Sequence, residues 1–199
     1  MRSLIERLHR EHTLASDEFR VLLSQCEEEH LSFINALARE VSLANFGNKI
    51  FIRGLIEVGN CCKNDCYYCG IRCSNKKANR YRLSEEDILA CCEEGDRLGF
   101  RTFVLQGGED PYYTDDKIVD IVREIKRRYP EHAVTLSIGE RERESYERFF
   151  AAGADRYLLR HETANDTHYR KLHPESMSLS HRKQCLRDLK EIGYQTGCG

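Results

Sequence analysis

Three cysteines, Cys62, Cys66 and Cys69, stand with three and then two residues between them. A loop that short can fold over a small metal site and aim several sulfurs inward. Thiolates are soft ligands, which points to iron–sulfur or to zinc. Three thiolates leave one iron of a four-iron cluster without a protein ligand, and an open iron can chelate a small molecule. Cys61 and Cys73 lie close by, so four of these five cysteines could instead make a tetrahedral zinc site. Structural zinc sites usually bring together two separated pairs, whereas all five cysteines here fall between positions 61 and 73. A run of buried, inert cysteines is the third reading. Cys26, Cys91, Cys92, Cys185 and Cys198 are scattered along the chain, as small core residues would be.

The elements that position this loop follow from the hydrophobic pattern. Residues 3–14 form a short helix, and Ser16 and Asp17 offer an N-cap for a second over 18–28. A third spans 30–45, with Leu31, Ile34, Leu37 and Val41 along one stripe and Gly47 as its stop. This polar helical extension, residues 1–48, carries no evident chemistry. Residues 49–199 form the core domain, where the period changes. The stretch 50–58 is rich in branched residues and reads as a strand running into the cysteine loop. Ser84 and Asp87 make a capping box for a helix that Gly99 closes. Strands over 101–105, 133–138, 155–160 and 194–198 then alternate with helices over 115–129, 142–152, 166–172 and 179–192. Such alternation means an α/β fold of about five parallel strands joined by right-handed crossovers. Spacing leaves two architectures open, a doubly wound sheet and an incomplete (β/α) barrel. Both place chemistry at the carboxyl ends of strands.

The polar motifs all fall at those ends. Gln106-Gly107-Gly108-Glu109 follows the second strand, Ser137 to Glu140 the third, and Arg160-His161-Glu162 the fourth. Alone, the glycine pair is a turn, and Arg160 with Glu162 is a surface ion pair of little energetic weight. Beside a metal site, glycines let backbone carbonyls approach an ammonium group, and Arg160 can grip a carboxylate in bidentate fashion, assisted by Arg182.

With these motifs together, the chain resembles the radical SAM (S-adenosylmethionine) superfamily. Within it, the chain resembles the HydE family of FeFe-hydrogenase maturases, with biotin synthase and methylornithine synthase as relatives. The resemblance rests on Arg53-Gly54-Leu55-Ile56-Glu57, on Asn64 to Arg72 with Tyr68 before the last cysteine, on Leu105 to Tyr113, and on Ala154 to Asn165 with its Leu-Leu-Arg-His-Glu-Thr string. It implies an incomplete TIM-type barrel, a 4Fe-4S cluster on Cys62, Cys66 and Cys69, and S-adenosyl-L-methionine as cofactor. The implied cofactor residues are Tyr68, Gln106, Gly107, Gly108, Glu109, Ser137, Arg160, Glu162 and Arg182. It also implies a radical enzyme acting on a small-molecule or organometallic substrate, alongside other hydrogenase maturation proteins. Two positions depart from the family pattern: Gly107 stands where serine is usual, and Cys61 where many relatives have an aromatic. A full (β/α) barrel needs about 250 residues, and this chain has 199.

Composition narrows the setting. Thirty-one basic and 33 acidic residues give a net charge of −2, which supplies no basic surface for nucleic acid. No apolar run reaches the length of a membrane helix, and the N-terminal residues lack a signal-peptide pattern. Ten cysteines without a secretion signal fit reduced thiols in the cytoplasm.

Overall fold

The computed structural model describes residues 1–199, which divide into two compact units, Met1–Phe51 and Ile52–Gly199. The first unit holds three helices, α1 (Arg2–Glu11), α2 (Ser16–Ser24) and α3 (Glu28–Phe46). Its buried apolar residues are Ile5 and Leu22. Arg7 pairs with Glu18, and the Arg2 guanidinium lies over the Phe33 ring at 4.3 Å. The N-cap of α2 is Ala15 rather than Ser16 or Asp17: Glu18 turns back and accepts from the Ala15 N–H at 2.9 Å.

The second unit contains strands β1 (Gly54–Gly59), β2 (Thr102–Gly107), β3 (Ala133–Ser137), β4 (Arg156–Leu158) and β5 (Gln195–Gly197). Between them run α4 (Glu85–Arg97), α5 (Asp115–Arg128), α6 (Arg143–Ala152), α7 (Asp166–Leu172) and α8 (Leu179–Ile192). The first strand is shorter than its composition predicts. Pairing begins at Gly54 opposite Phe103, so residues 50–53 have no neighbouring strand, and Ile50, Phe51 and Ile52 are exposed.

Caps fix the helix starts. Ser84 accepts from the Asp87 N–H at 3.1 Å while Asp87 accepts from the Ser84 N–H at 3.1 Å. Thr114 caps α5, and Ser178 caps α8. Gly153 and Gly193 end α6 and α8 at φ +111° and +113°, a conformation open to glycine at little cost.

The strands pair in parallel in the order β1-β2-β3-β4-β5. No strand order reverses, so there is no doubly wound switch point, and the sheet is a run of consecutive β/α units as in a barrel. Register places Ile56, Leu105, Leu136 and Tyr157 in one row. All four are buried, in one core with Ile88, Ile118, Val122, Phe149 and Leu189 from the helices. On the other sheet face, Leu55, Val104, Thr135 and Arg156 form one row and Glu57, Gln106 and Ser137 the next. Leu55 there is 55% exposed. The barrel is incomplete, with β1 and β5 as sheet edges.

Candidate metal and cofactor site

The loop after β1 is stitched shut by its own side chains. The Arg80 guanidinium donates to the carbonyls of Asn60 (2.5 Å), Ile71 (2.8 Å), Arg72 (2.7 Å) and Asn75 (3.1 Å). Asn60 accepts from the Tyr81 N–H and donates to the Asn79 carbonyl. Loop carbonyls that would otherwise face water thus converge on one planar cation, which costs less chain entropy than separate partners would. Cys66 and Cys69 form a tight turn, with the Cys69 N–H donating to the Cys66 carbonyl at 3.0 Å.

The loop is also tied to the second strand's end, where the Lys63 N–H donates to the Glu109 carbonyl at 2.9 Å. A Cβ on Gly108 would come 2.6 Å from the Cys62 Cβ, so only glycine lets this backbone run against the cysteine loop. The spacing of the motif and the glycine pair after β2 are therefore two parts of one contact.

All three motif cysteines line a cavity of about 290 Å³ at the carboxyl ends of the strands. Tyr68 lines it from the same loop. Gln106, Gly107, Gly108 and Glu109 line it from β2 and its loop, and Ser137 from β3. Arg160 and Glu162 reach it from beyond β4, and Arg182 from α8. Gln106 and Ser137 are register partners. Cys61 and Cys73 are not among the lining residues; Cys61 Sγ instead lies 3.9 Å from the Tyr81 carbonyl.

Burial pushes the Cys62 thiol up. It pushes Cys66 up to about 11, with the neighbouring Cys62 and Cys69 adding to the effect. Crowded, desolvated thiols of this kind favour a bound cation over three free thiolates. One trio of His, Cys, Asp and Glu side chains has ligand atoms within 4.8 Å of one another: the exposed Glu27 and Glu29 with the half-buried His30.

A buried charge network backs the cavity. Arg182 is 8% exposed. Its Nε donates to Glu140 Oε1 at 2.5 Å, its Nη1 donates to the Arg160 carbonyl at 2.9 Å, and its Nη2 lies 3.8 Å from Glu109 Oε1. Burial opposes the charge of Arg182; Glu140, Tyr169 and Glu109 together outweigh it, so its pKa is held above the usual value. Glu109 Oε1 also accepts from the Glu140 N–H at 2.9 Å, and Lys63 Nζ lies 3.4 Å from Glu109 Oε2. Gly139, at φ +81°, sits under the Glu109 side chain, where a Cβ would come 2.6 Å from the carboxyl carbon. Glu140, the end of the polar motif after β3, pairs with an arginine 42 positions away. Met177, which carried little sequence signal, is also on the cavity and meets Cys66 Sγ through Sδ at 3.7 Å across 111 positions.

The chain belongs to the radical SAM superfamily, whose family model matches residues 56–198. Its similarity is high to the [FeFe] hydrogenase maturase subunit HydE of Thermotoga maritima, 50% identical over 163 residues, which are 82% of this chain and 46% of that protein. It is 34% identical over 183 residues to 3-methylornithine synthase of Methanosarcina acetivorans, covering 91% of this chain and 51% of that one. The chain spans about half the length of the curated relatives it matches. The crystal structure of methylornithine synthase (PylB) superposes with a TM-score of 0.85 at 31% identity, covering 97% of this chain and 57% of that one. That of HydG, a maturase of the [FeFe]-hydrogenase, gives 0.88 at 26%, covering 99% and 45%. No helix is long and apolar enough to cross a membrane.

Proposed function

We propose that this chain carries the cluster- and cofactor-binding part of a HydE-like radical SAM enzyme. The observation that carries the reading is a single cavity lined by three crowded thiols and by the polar ends of β2, β3 and β4. Cys62, Cys66 and Cys69 would hold a 4Fe-4S cluster. When bound, such a cluster would supply one electron for reductive cleavage of S-adenosylmethionine to methionine and a 5′-deoxyadenosyl radical.

The protein's own part is binding, orientation and exclusion of water. The carbonyls of Gly107 and Gly108, at the end of β2, would accept from the cofactor's ammonium. Arg160 grips its carboxylate, and Arg182 steadies that backbone through the Arg160 carbonyl. Gln106, Ser137 and Glu162 offer hydrogen bonds along the rest of the cavity, while Tyr68 and Glu109 shape its walls. The substrate in this reading is an organometallic iron precursor of the hydrogenase diiron subsite, and the partners are other maturation proteins. Reduced thiols and an oxygen-labile cluster suit the cytoplasm.

The half-length match to relatives favours a second reading beside this one: a cluster-binding piece that completes turnover only with further polypeptide. Both are tested by anaerobic reconstitution with iron and sulfide, then reductant and S-adenosylmethionine, following 5′-deoxyadenosine. About four irons and sulfides per chain support the cluster. Zinc retained with no iron uptake sinks it. Iron uptake without 5′-deoxyadenosine selects the second reading.

A further inference from the structure

The cysteine loop also contacts the segment after β4. The Tyr67 N–H donates to the Leu172 carbonyl at 2.9 Å, using a carbonyl that the C-terminus of α7 leaves without a helical partner. Close by stands His173, 4% exposed. Its Nδ1 lies 3.0 Å from the Tyr169 carbonyl oxygen. A carbonyl can only accept, so Nδ1 carries the ring proton. Its Nε2 lies 3.4 Å from the Tyr68 hydroxyl.

Burial holds the His173 pKa below the ordinary histidine value, so the ring is neutral with its lone pair on Nε2. The Tyr68 hydroxyl, a phenol with an ordinary pKa of about 10, keeps its proton and donates to that lone pair. The imidazole plane is set by the Tyr169 ring, stacked at 3.9 Å between centroids and 15° between planes. The Tyr68 ring meets it edge-on at 5.4 Å. His173 is not among the residues lining the cavity, so it acts through Tyr68.

We propose that His173 is a positioning residue: as a hydrogen-bond acceptor held by α7, it clasps Tyr68 and thereby sets the backbone between Cys66 and Cys69. This rests on the reading of those cysteines as cluster ligands. Tyr68 is two residues past Cys66 and directly before Cys69, so fixing its side chain limits both sulfurs. The same segment continues from Arg160 and Glu162, so the clasp also joins the cysteine loop to the stretch assigned to the cofactor. An apolar residue of similar size would fill the space but leave the Tyr68 hydroxyl without this partner.

The experiment uses the full chain without metal and follows alkylation of Cys66 and Cys69 by mass spectrometry. His173→Leu is expected to speed labelling by about fivefold to tenfold, the equivalent of one net hydrogen bond. Tyr68→Phe, at a residue 51% exposed and so tolerant of losing a hydroxyl, is expected to do the same. The double variant should be no faster than either single one. His173→Gln, which keeps an acceptor, should restore most of the wild-type rate. The proposal is overturned by wild-type labelling in Tyr68→Phe, by additive effects in the double variant, or by His173→Gln behaving like His173→Leu. Should His173→Leu fail to fold, Tyr68→Phe and His173→Gln decide alone. Iron uptake by the wild-type chain is read separately: its failure removes the cluster assignment and leaves the clasp tested, because the labelling needs no metal.

Discussion

A thiol binds iron as thiolate, and at Cys62 and Cys66 burial works against ionisation. That desolvation is recovered only when metal is bound, so each ligand matters singly. Changing Cys62, Cys66 or Cys69 to Ala is expected to abolish the four-iron cluster, while Cys61→Ala and Cys73→Ala keep it. Iron and sulfide analysis after reconstitution reads this, and loss of iron in Cys61→Ala with retention in Cys62→Ala would shift the ligand register. Arg160 is exposed on the cavity. Arg160→Ala should weaken S-adenosylmethionine binding by on the order of 1–3 kcal/mol, the range for a charge-assisted hydrogen bond, with iron content unchanged. Unaltered affinity in a titration would remove Arg160 from the grip. Glu162, two residues on, has φ +63°, a conformation non-glycine residues seldom hold. Backbone strain of this kind gathers where a site needs a side chain aimed against its local preference.

Between elements, the cysteine loop is held by polar ties rather than by apolar packing. Arg80 collects four loop carbonyls, and Arg82 binds Asp110 through two bonds of 2.6 and 3.0 Å. Arg82 bridges to Gly59 at the end of β1 and Asp110 follows β2, so this pair locks the loop's exit to the neighbouring strand end. Burial works against ionisation of Asp110; the Arg82 guanidinium and the Tyr112 N–H outweigh it and hold its pKa below the ordinary value. A carboxylate lowered on folding adds stability above its unfolded pKa of about 4, and that stability is lost as pH falls through the folded value. Asp110→Asn should therefore lower unfolding stability at pH 7 by on the order of 1 kcal/mol, the scale of a net hydrogen bond. The gap from wild type should shrink toward pH 3 in denaturant titrations. An equal gap at both pH values would contradict the linkage.

At the scale of the molecule, five parallel strands leave two open edges. β1 has only β2 as partner and β5 only β4. Leu55 on the sheet face and Leu98 after α4 are 55% and 58% exposed, and both border an apolar groove along β1 with Ile56, Leu83 and Phe100. Unpaired strand edges beside exposed apolar side chains favour association. The 199-residue chain is expected to self-associate and to complete few or no turnovers alone. Sizing chromatography beside 5′-deoxyadenosine measurement checks this. A monomer giving many turnovers would show that half a barrel is a sufficient site.

What the sequence determined by itself was local: the cysteine spacing, the capping box of Ser84 with Asp87, and the switch from helical to alternating periodicity that marks parallel β/α units. These are legible because each depends on residues a few positions apart. The tertiary structure decided the rest. Strand order separates a barrel from a doubly wound sheet, and both share one hydrophobic pattern. Residues 50–53 have strand-like composition but no partner, because a strand exists only by pairing. The meeting of Cys66 with Met177, of Arg182 with Glu140 and of Tyr68 with His173 spans 111, 42 and 105 positions. No periodicity encodes such contacts. They arise when buried apolar rows set the sheet and helices at fixed distances, and polar side chains at the strand ends then take the partners that packing brings within reach.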